Sequence, residues 1–215
     1  MKFYPVHLNI SDMMCVVVGG GDVAERKVEN LLECDGRVVV VARAITPKLE
    51  TLKREGSIRH IPEDYRTDHI AGAFLVIGAT DRDDVNGQVY RDAEERSMLV
   101  NIVDEPERCR FIVPSQVRQG DLLISLTTGG KSPALARRLR KELEGRYCRE
   151  YQILVDIMGR LRGRILARGE SSDCNKKIFE SILDTDILER IREEDWDGVR
   201  DIISNLTGED IGTLP

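Results

Sequence analysis

The run Val16-Val17-Val18-Gly19-Gly20-Gly21-Asp22-Val23-Ala24-Glu25-Arg26-Lys27 constrains this chain more than any other segment. Consecutive valines end in a Gly-x-Gly-x-x-Ala turn, and a helical pattern starts at once. Gly19 permits a tight exit from the strand. Gly21 removes a side chain from the path of a pyrophosphate, and Ala24 is small enough for the helix to pack closely on the sheet. The first N–H groups of such a helix lack partners and sit at the positive end of its dipole, which suits an anion. The segment predicts a dinucleotide-binding βα unit. The alternative is a tight βα turn that binds nothing.

Strands and helices alternate behind it. Val38–Val41 is a continuous β-branched run, the pattern of a parallel strand buried on both faces; Phe74–Ile77 is another buried strand and Met98–Val103 the next strand. Helices are predicted over Val23–Cys34, Pro47–Glu55 and Asp83–Ser97, with Ser57–Ile61 as an edge strand. A β-α-β-α-β order implies right-handed crossovers and a parallel sheet covered on both faces. Near Phe111 the pattern changes. Ile112–Gln116 and Leu122–Thr127 are predicted as strands joined by a turn at Arg118-Gln119-Gly120-Asp121. Ser132-Pro133 then starts a helix as N-cap and first residue, and Tyr147 to Leu206 is helical, punctuated by Gly163, Gly169 and Ser171-Ser172.

Bulk properties exclude several classes. With 215 residues and 41% apolar content the chain suits a globular protein. No apolar run approaches the ~20 residues of a membrane span, and the first residues show no signal-peptide layout, so the expectation is a cytoplasmic protein without membrane partners. Cys15, Cys34, Cys109, Cys148 and Cys174 are scattered and form no Cys-x-x-Cys, and His7, His60 and His69 form no close pair. A disulfide framework and a built-in metal site are therefore not expected. Residues 131–168 hold 11 Lys+Arg against 4 Asp+Glu, whereas residues 169–215 hold 5 against 13. The basic stretch lacks interleaved aromatics, which argues against nucleic acid.

In an open parallel sheet, ligands bind beyond the carboxyl ends of the strands. That rule selects Gly19–Val23, then Ala42, Arg43 and Ala44, then Ala79, Thr80 and Asp81, then Asp104. NAD sites usually carry an acid after the second strand; here Arg43 stands instead, so this position alone leaves NAD and NADP open. Asp104 is placed either to accept a proton or to cap the turn before Pro106. Asp81 is expected to cap the helix beginning near Asp83. Gly129-Gly130-Lys131-Ser132 is not a phosphate loop, because Ser125 stands where that pattern needs glycine.

These motifs, in order, are Val17–Lys27, Ala79-Thr80-Asp81, Asn86, Asn101-Ile102-Val103-Asp104, Phe111-Ile112-Val113-Pro114-Ser115 and Thr128–Arg137. Together they closely resemble the precorrin-2 dehydrogenases, including the dehydrogenase/ferrochelatase module of siroheme synthase. The likeness covers roughly residues 1–150. It implies an α/β fold: a Rossmann-type NAD-binding domain over 1–112, a dimerisation hairpin and helix over 113–146, and a C-terminal helical domain over 147–215. It implies NAD-dependent oxidation of precorrin-2 to sirohydrochlorin by a homodimer, with Asp104 as general base and Asp22, Val23, Arg43 and Ala44 at the NAD. The family tolerates the missing ribose acid, which turns the cofactor expectation to NAD. Gly19, Gly21, Thr80 and Asp81 complete the expected cofactor set, and Arg108, Arg110, Lys131, Arg137 and Arg138 are candidates to hold the substrate's carboxylates. Thr128 replaces a serine often found in the family. A methyltransferase module, which fused relatives carry, is not expected in this length. Two alternatives remain: a bifunctional dehydrogenase and ferrochelatase, and a non-catalytic NAD-sensing domain.

Overall fold

The computed structural model describes residues 3–212; the outermost residues of the two terminal domains named above lie outside it. The chain divides into two compact units, Met1–Val113 and Pro114–Pro215.

The first unit alternates β1 (Met14–Val18), α1 (Asp22–Leu32), β2 (Arg37–Val41), α2 (Pro47–Arg54), β3 (Ile58–Ile61), β4 (Leu75–Gly78), α3 (Asp83–Glu95) and β5 (Leu99–Ile102). The strands form one sheet in the order β3-β2-β1-β4-β5, with every pair parallel. β3 is at an edge, as its mixed sequence predicts. Side-chain parity divides the core in two. Cys15, Val17, Val38, Val40, Leu75 and Ile77 pack with Ala24, Val28 and Leu31 of α1 and Leu49 of α2. Val16, Val18, Val39, Val41, Val76 and Val100 pack with Val89 and Ala93 of α3 on the opposite face. Alternate residues of a strand point to opposite faces, so runs without a polar residue are what a sheet buried on both sides requires. Val18 pairs with Val41 and with Gly78, and Gly78 pairs with Ile102. The carboxyl ends of four strands therefore lie level, and the strand order reverses between β1 and β4, where a ligand crevice opens in folds of this kind.

The second unit begins with a hairpin, β6 (Ser115–Gln119) and β7 (Leu122–Leu126), followed by α4 (Pro133–Arg146), α5 (Arg149–Leu166), α6 (Ser172–Leu183), α7 (Ile187–Arg192) and α8 (Trp196–Thr207). Two elements differ from the sequence reading. The first hairpin strand is Ser115–Gln119, not Ile112–Gln116. Gln119 pairs with Leu122 across a two-residue turn, and Gly120 takes a left-handed φ of +58°, as the first position of such a turn demands. Gly163 does not interrupt the chain but lies inside α5, where buried Leu154, Ile157, Leu161 and Ile165 continue one apolar stripe past it. That stripe packs against Ile182, Ile187, Ile191, Val199 and Ile203. Gly169, at φ +71°, and Ser171, whose hydroxyl accepts from Cys174 N–H, do end α5 and start α6. Ser132 caps α4 by accepting from Leu135 N–H, with Pro133 following.

Among the described residues of this unit, Glu150 is the buried charge, at 8% exposure. Burial, the largest influence, would raise its carboxyl, but the 2.7 Å hydrogen bond from Arg192, the Glu150 backbone N–H and the Arg192 charge together hold it below its usual value. A depressed carboxyl stabilises the fold fully above its unfolded value and loses that contribution as pH falls through it. Arg192→Ala is expected to lower the melting temperature, because it leaves the buried Glu150 carboxylate without its partner. It should also flatten the acid limb of the pH–stability curve below pH ~5. Thermal denaturation of both proteins between pH 3 and 7 measures this.

Candidate functional site

A cleft of about 870 Å³ opens at the level carboxyl ends of the parallel strands, a volume typical of cofactor sites, which run roughly 300–1,000 Å³. Gly19, Gly21, Asp22, Val23, Arg43, Ala44, Thr80, Asp81 and Asp104 all line it.

Each glycine of the β1–α1 turn has its own cause. Gly19 has φ +130°, and a Cβ there would stand 2.2 Å from the Ala79 carbonyl oxygen. Its N–H donates to Val41 O at 3.0 Å, so it seals the junction of β1 with both neighbouring strands. A Cβ on Gly20 would meet Ala44 O at 2.0 Å. A Cβ on Gly21 would meet no protein atom within 4 Å. Gly21 is the N-cap of α1 and has no side-chain cap, so the first N–H groups of the helix are left for a ligand. A diphosphate fits this cradle: nothing in the protein asks for glycine at 21, and the open space lies over unpartnered donors.

Beyond β2, Arg43 is exposed and paired with Asp64, a residue of the loop after β3. Asp64 also stands 3.8 Å from Arg82. Beyond β4, the Thr80 carbonyl accepts from Asn86 Nδ2 at 3.0 Å, and its hydroxyl accepts from Arg82 N–H. Asp81 does not cap α3: the N-cap is Arg82, without a side-chain cap. The reason is register, since α3 starts one residue later than an Asp81 cap requires, and Asp81 stays on the cleft wall.

Beyond β5, Asp104 occupies a turn closed by Glu105 N–H donating to Ile102 O at 3.2 Å, with φ +62°. The following 3-10 turn, Pro106–Arg108, is preceded by Glu105 and has no side-chain cap, so capping is not what Asp104 does. The turn is braced from behind. The Cys109 thiol donates to Ile102 O and Glu105 O at 3.2 Å each. Asn101, 8% exposed, donates to Phe111 O at 2.9 Å. Burial raises the Cys109 thiol above its usual range, so it stays protonated and able to donate.

Lys27 was not singled out from the sequence. It is half-buried on α1, and burial, reinforced by Arg26, holds its ammonium below its usual value, while Asp104 and Cys109 pull the other way. Its spacing from Val23, one helical turn, was the available signal: residues four apart share a helix face, and Val23 lines the cleft.

The cations expected at the substrate behave differently from one another. Arg108 is engaged by Asp83 and Glu105 at 2.8 Å each. Arg110 makes a two-pronged pair with Glu94. Arg138 pairs with Glu142 along α4. Lys131 and Arg137 are exposed in the second unit. Among the described residues there is no group of three or more His, Cys, Asp or Glu that would hold a metal ion, and no helix is long and apolar enough to cross a membrane.

Residues 6–115 match a protein family described as "Putative NAD(P)-binding", and residues 119–146 match one described as "Sirohaem biosynthesis protein central". Siroheme synthase 1 of Aeromonas salmonicida is 36% identical over 188 residues, covering 87% of this chain and 40% of the relative. Siroheme synthase of Thioalkalivibrio sulfidiphilus is 36% identical over 203 residues, covering 94% and 42%. The chain thus spans about two fifths of the length of these relatives. A solved structure titled "SirC, precorrin-2 dehydrogenase" superposes with a TM-score of 0.81 over 96% of this chain and 100% of that one. At 21% identity that likeness shows the shared fold.

Proposed function

The chain belongs to the NAD(P)-binding family matched over residues 6–115, and we propose that it is an NAD-dependent dehydrogenase that oxidises precorrin-2 to sirohydrochlorin in siroheme biosynthesis. The observation that carries this reading is the shared cleft: the glycine turn at the N-terminus of α1 and the Asp104 carboxylate line one cavity. Bound NAD supplies the hydride acceptor. The protein's own part is to hold the diphosphate on the α1 donors and to take a proton from the substrate at the Asp104 carboxylate. The braced turn beneath Asp104 supports this role, because a base gains from being fixed in place. The relatives named siroheme synthase and the fold of the protein titled precorrin-2 dehydrogenase support the choice of substrate. Incubation with precorrin-2 and NAD, followed by NADH and sirohydrochlorin absorbance, tests it. Dinucleotide binding without either product would remove the dehydrogenase reading.

A substrate rich in carboxylates needs cations. Lys131 and Arg137 serve this role best, since Arg108 and Arg110 are already neutralised by α3 and neighbouring acids. The Lys131→Ala, Arg137→Ala double variant is expected to raise KM about tenfold or more with kcat little changed, as loss of one or two exposed charge-assisted contacts implies; an unchanged KM would refute the role. The proposal includes a homodimer in the cytoplasm. Leu135 and Leu139, one turn apart on α4, are 46% and 38% exposed, and covering such a pair is what a second copy would do. A monomer mass by light scattering would remove that part.

A further inference from the structure

We propose that Asp64 selects NAD over NADP, supplying from the β3 loop the carboxylate that the end of β2 lacks. The inference rests on the reading of the cleft as a dinucleotide site. In folds of this type an acid after the second strand accepts from the adenosine ribose, and an arginine there accommodates a 2′-phosphate. Ala42-Arg43-Ala44 alone offers no such acid and leaves NAD and NADP open. The structure answers with a neighbour. β2 and β3 are paired in parallel with Val41 beside Ile61, and the ladder continues one step, Ala42 N–H donating to Ile61 O at 3.2 Å. The loop after Ile61 is thereby set beside the loop after Val41, and Asp64 lines the same cleft as Arg43.

Asp64 holds two guanidiniums. One carboxylate oxygen takes Arg43, and the other lies 3.8 Å from Arg82 Nη1. The loop that presents it is anchored. The Tyr65 hydroxyl donates to Asp92 at 2.9 Å, Asp92 is 4% exposed, and Gln88 donates to the other Asp92 oxygen. Glu63, next to it, is occupied by Arg66 and faces His69. The Arg43–Asp64 pair is itself exposed, and pairs of that kind contribute little to folding, so the fold does not require it. Its consequence is for ligands. A 2′-phosphate brought to Arg43 would face the Asp64 carboxylate and compete with it for the same guanidinium. A free 2′-hydroxyl can instead donate to that carboxylate. Like charges brought together discriminate strongly between otherwise similar ligands.

Titrations of the wild type, Asp64→Asn and Asp64→Ala with NADH and with NADPH, followed by the fluorescence of the reduced nicotinamide and without substrate, test the assignment. The wild type should bind NADH more tightly. Both variants should bind NADH more weakly and NADPH more tightly, moving the preference about tenfold or more, with an unchanged melting temperature. Arg43→Ala added to Asp64→Asn should remove the NADPH gain. An unmoved preference in a folded variant, or a wild type that prefers NADPH, overturns the inference. A wild type that binds neither dinucleotide sinks both this and the proposed function. One that prefers NADH, shifts as described in the variants, yet makes no sirohydrochlorin, leaves the inference standing and removes the dehydrogenase reading.

Discussion

Asp104→Asn is expected to lower turnover by roughly 10²–10⁴-fold, the usual contribution of a positioned general base, while NADH affinity stays within a few-fold of wild type. Asparagine is the informative replacement because Asp104 has φ +62°. Asparagine enters that left-handed region readily, whereas alanine would add strain of about 1 kcal/mol. The amide also keeps the shape of the cleft wall and removes only the proton acceptor. The turn itself should survive, since it is closed by Glu105 N–H and braced by the Cys109 thiol rather than by the carboxylate. Single-turnover rates read the chemical step, and fluorescence titration reads the cofactor. Turnover within a few-fold of wild type would show that Asp104 is not the base. Parallel loss of NADH affinity would make it a structural part of the turn.

The parallel sheet was legible because its strands are buried on both faces. A run such as Val38–Val41 offers no polar residue to place in water, and the structure spends alternate valines on α1 and on α3. The cleft residues followed from one topological rule applied to the ends of those runs. What was not legible depended on pairing between distant segments. Arg118-Gln119-Gly120-Asp121 reads as a four-residue turn and puts the first hairpin strand three residues early, whereas Gly120-Asp121 alone closes it. Gly163 reads as a break in sequence because glycine is a poor helix former, but the buried stripe through Leu161 and Ile165 outweighs that cost. Asp64 was invisible for a stronger reason. Its proximity to Arg43 exists only through the β2–β3 register, and nothing in the local sequence near residue 64 announces it. The engagement of Arg108 and Arg110 by α3 acids is of the same kind, which is why charge and position alone proposed them as free cations.

Two alanine substitutions in one turn should have opposite outcomes, and together they separate a ligand cradle from a mere bend. Gly19→Ala is expected to destabilise the protein by on the order of 4 kcal/mol or more, the range reached only by severe backbone or core disruption. Its φ of +130° is closed to L-residues, and the new methyl would lie 2.2 Å from Ala79 O and 2.6 Å from Ala79 C. Neither atom can move without breaking the 2.8 Å bond from Ala79 N–H to Val18 O that joins β4 to β1. The variant should melt far below the wild type or fail to fold. Gly21→Ala meets none of these obstacles. Its φ is −86°, and the methyl finds open space, so the melting temperature should hold. The methyl would nevertheless enter the space over the first α1 donors. Crowding of that size costs about 1–3 kcal/mol, or roughly tenfold to a hundredfold in Kd for NADH. A Gly21→Ala protein that binds NADH as the wild type does would mean that glycine is demanded in this turn only by the protein itself, at 19 by the sheet and at 20 by the Ala44 carbonyl. The β1–α1 turn would then be a tight connection, with the diphosphate held elsewhere or not at all.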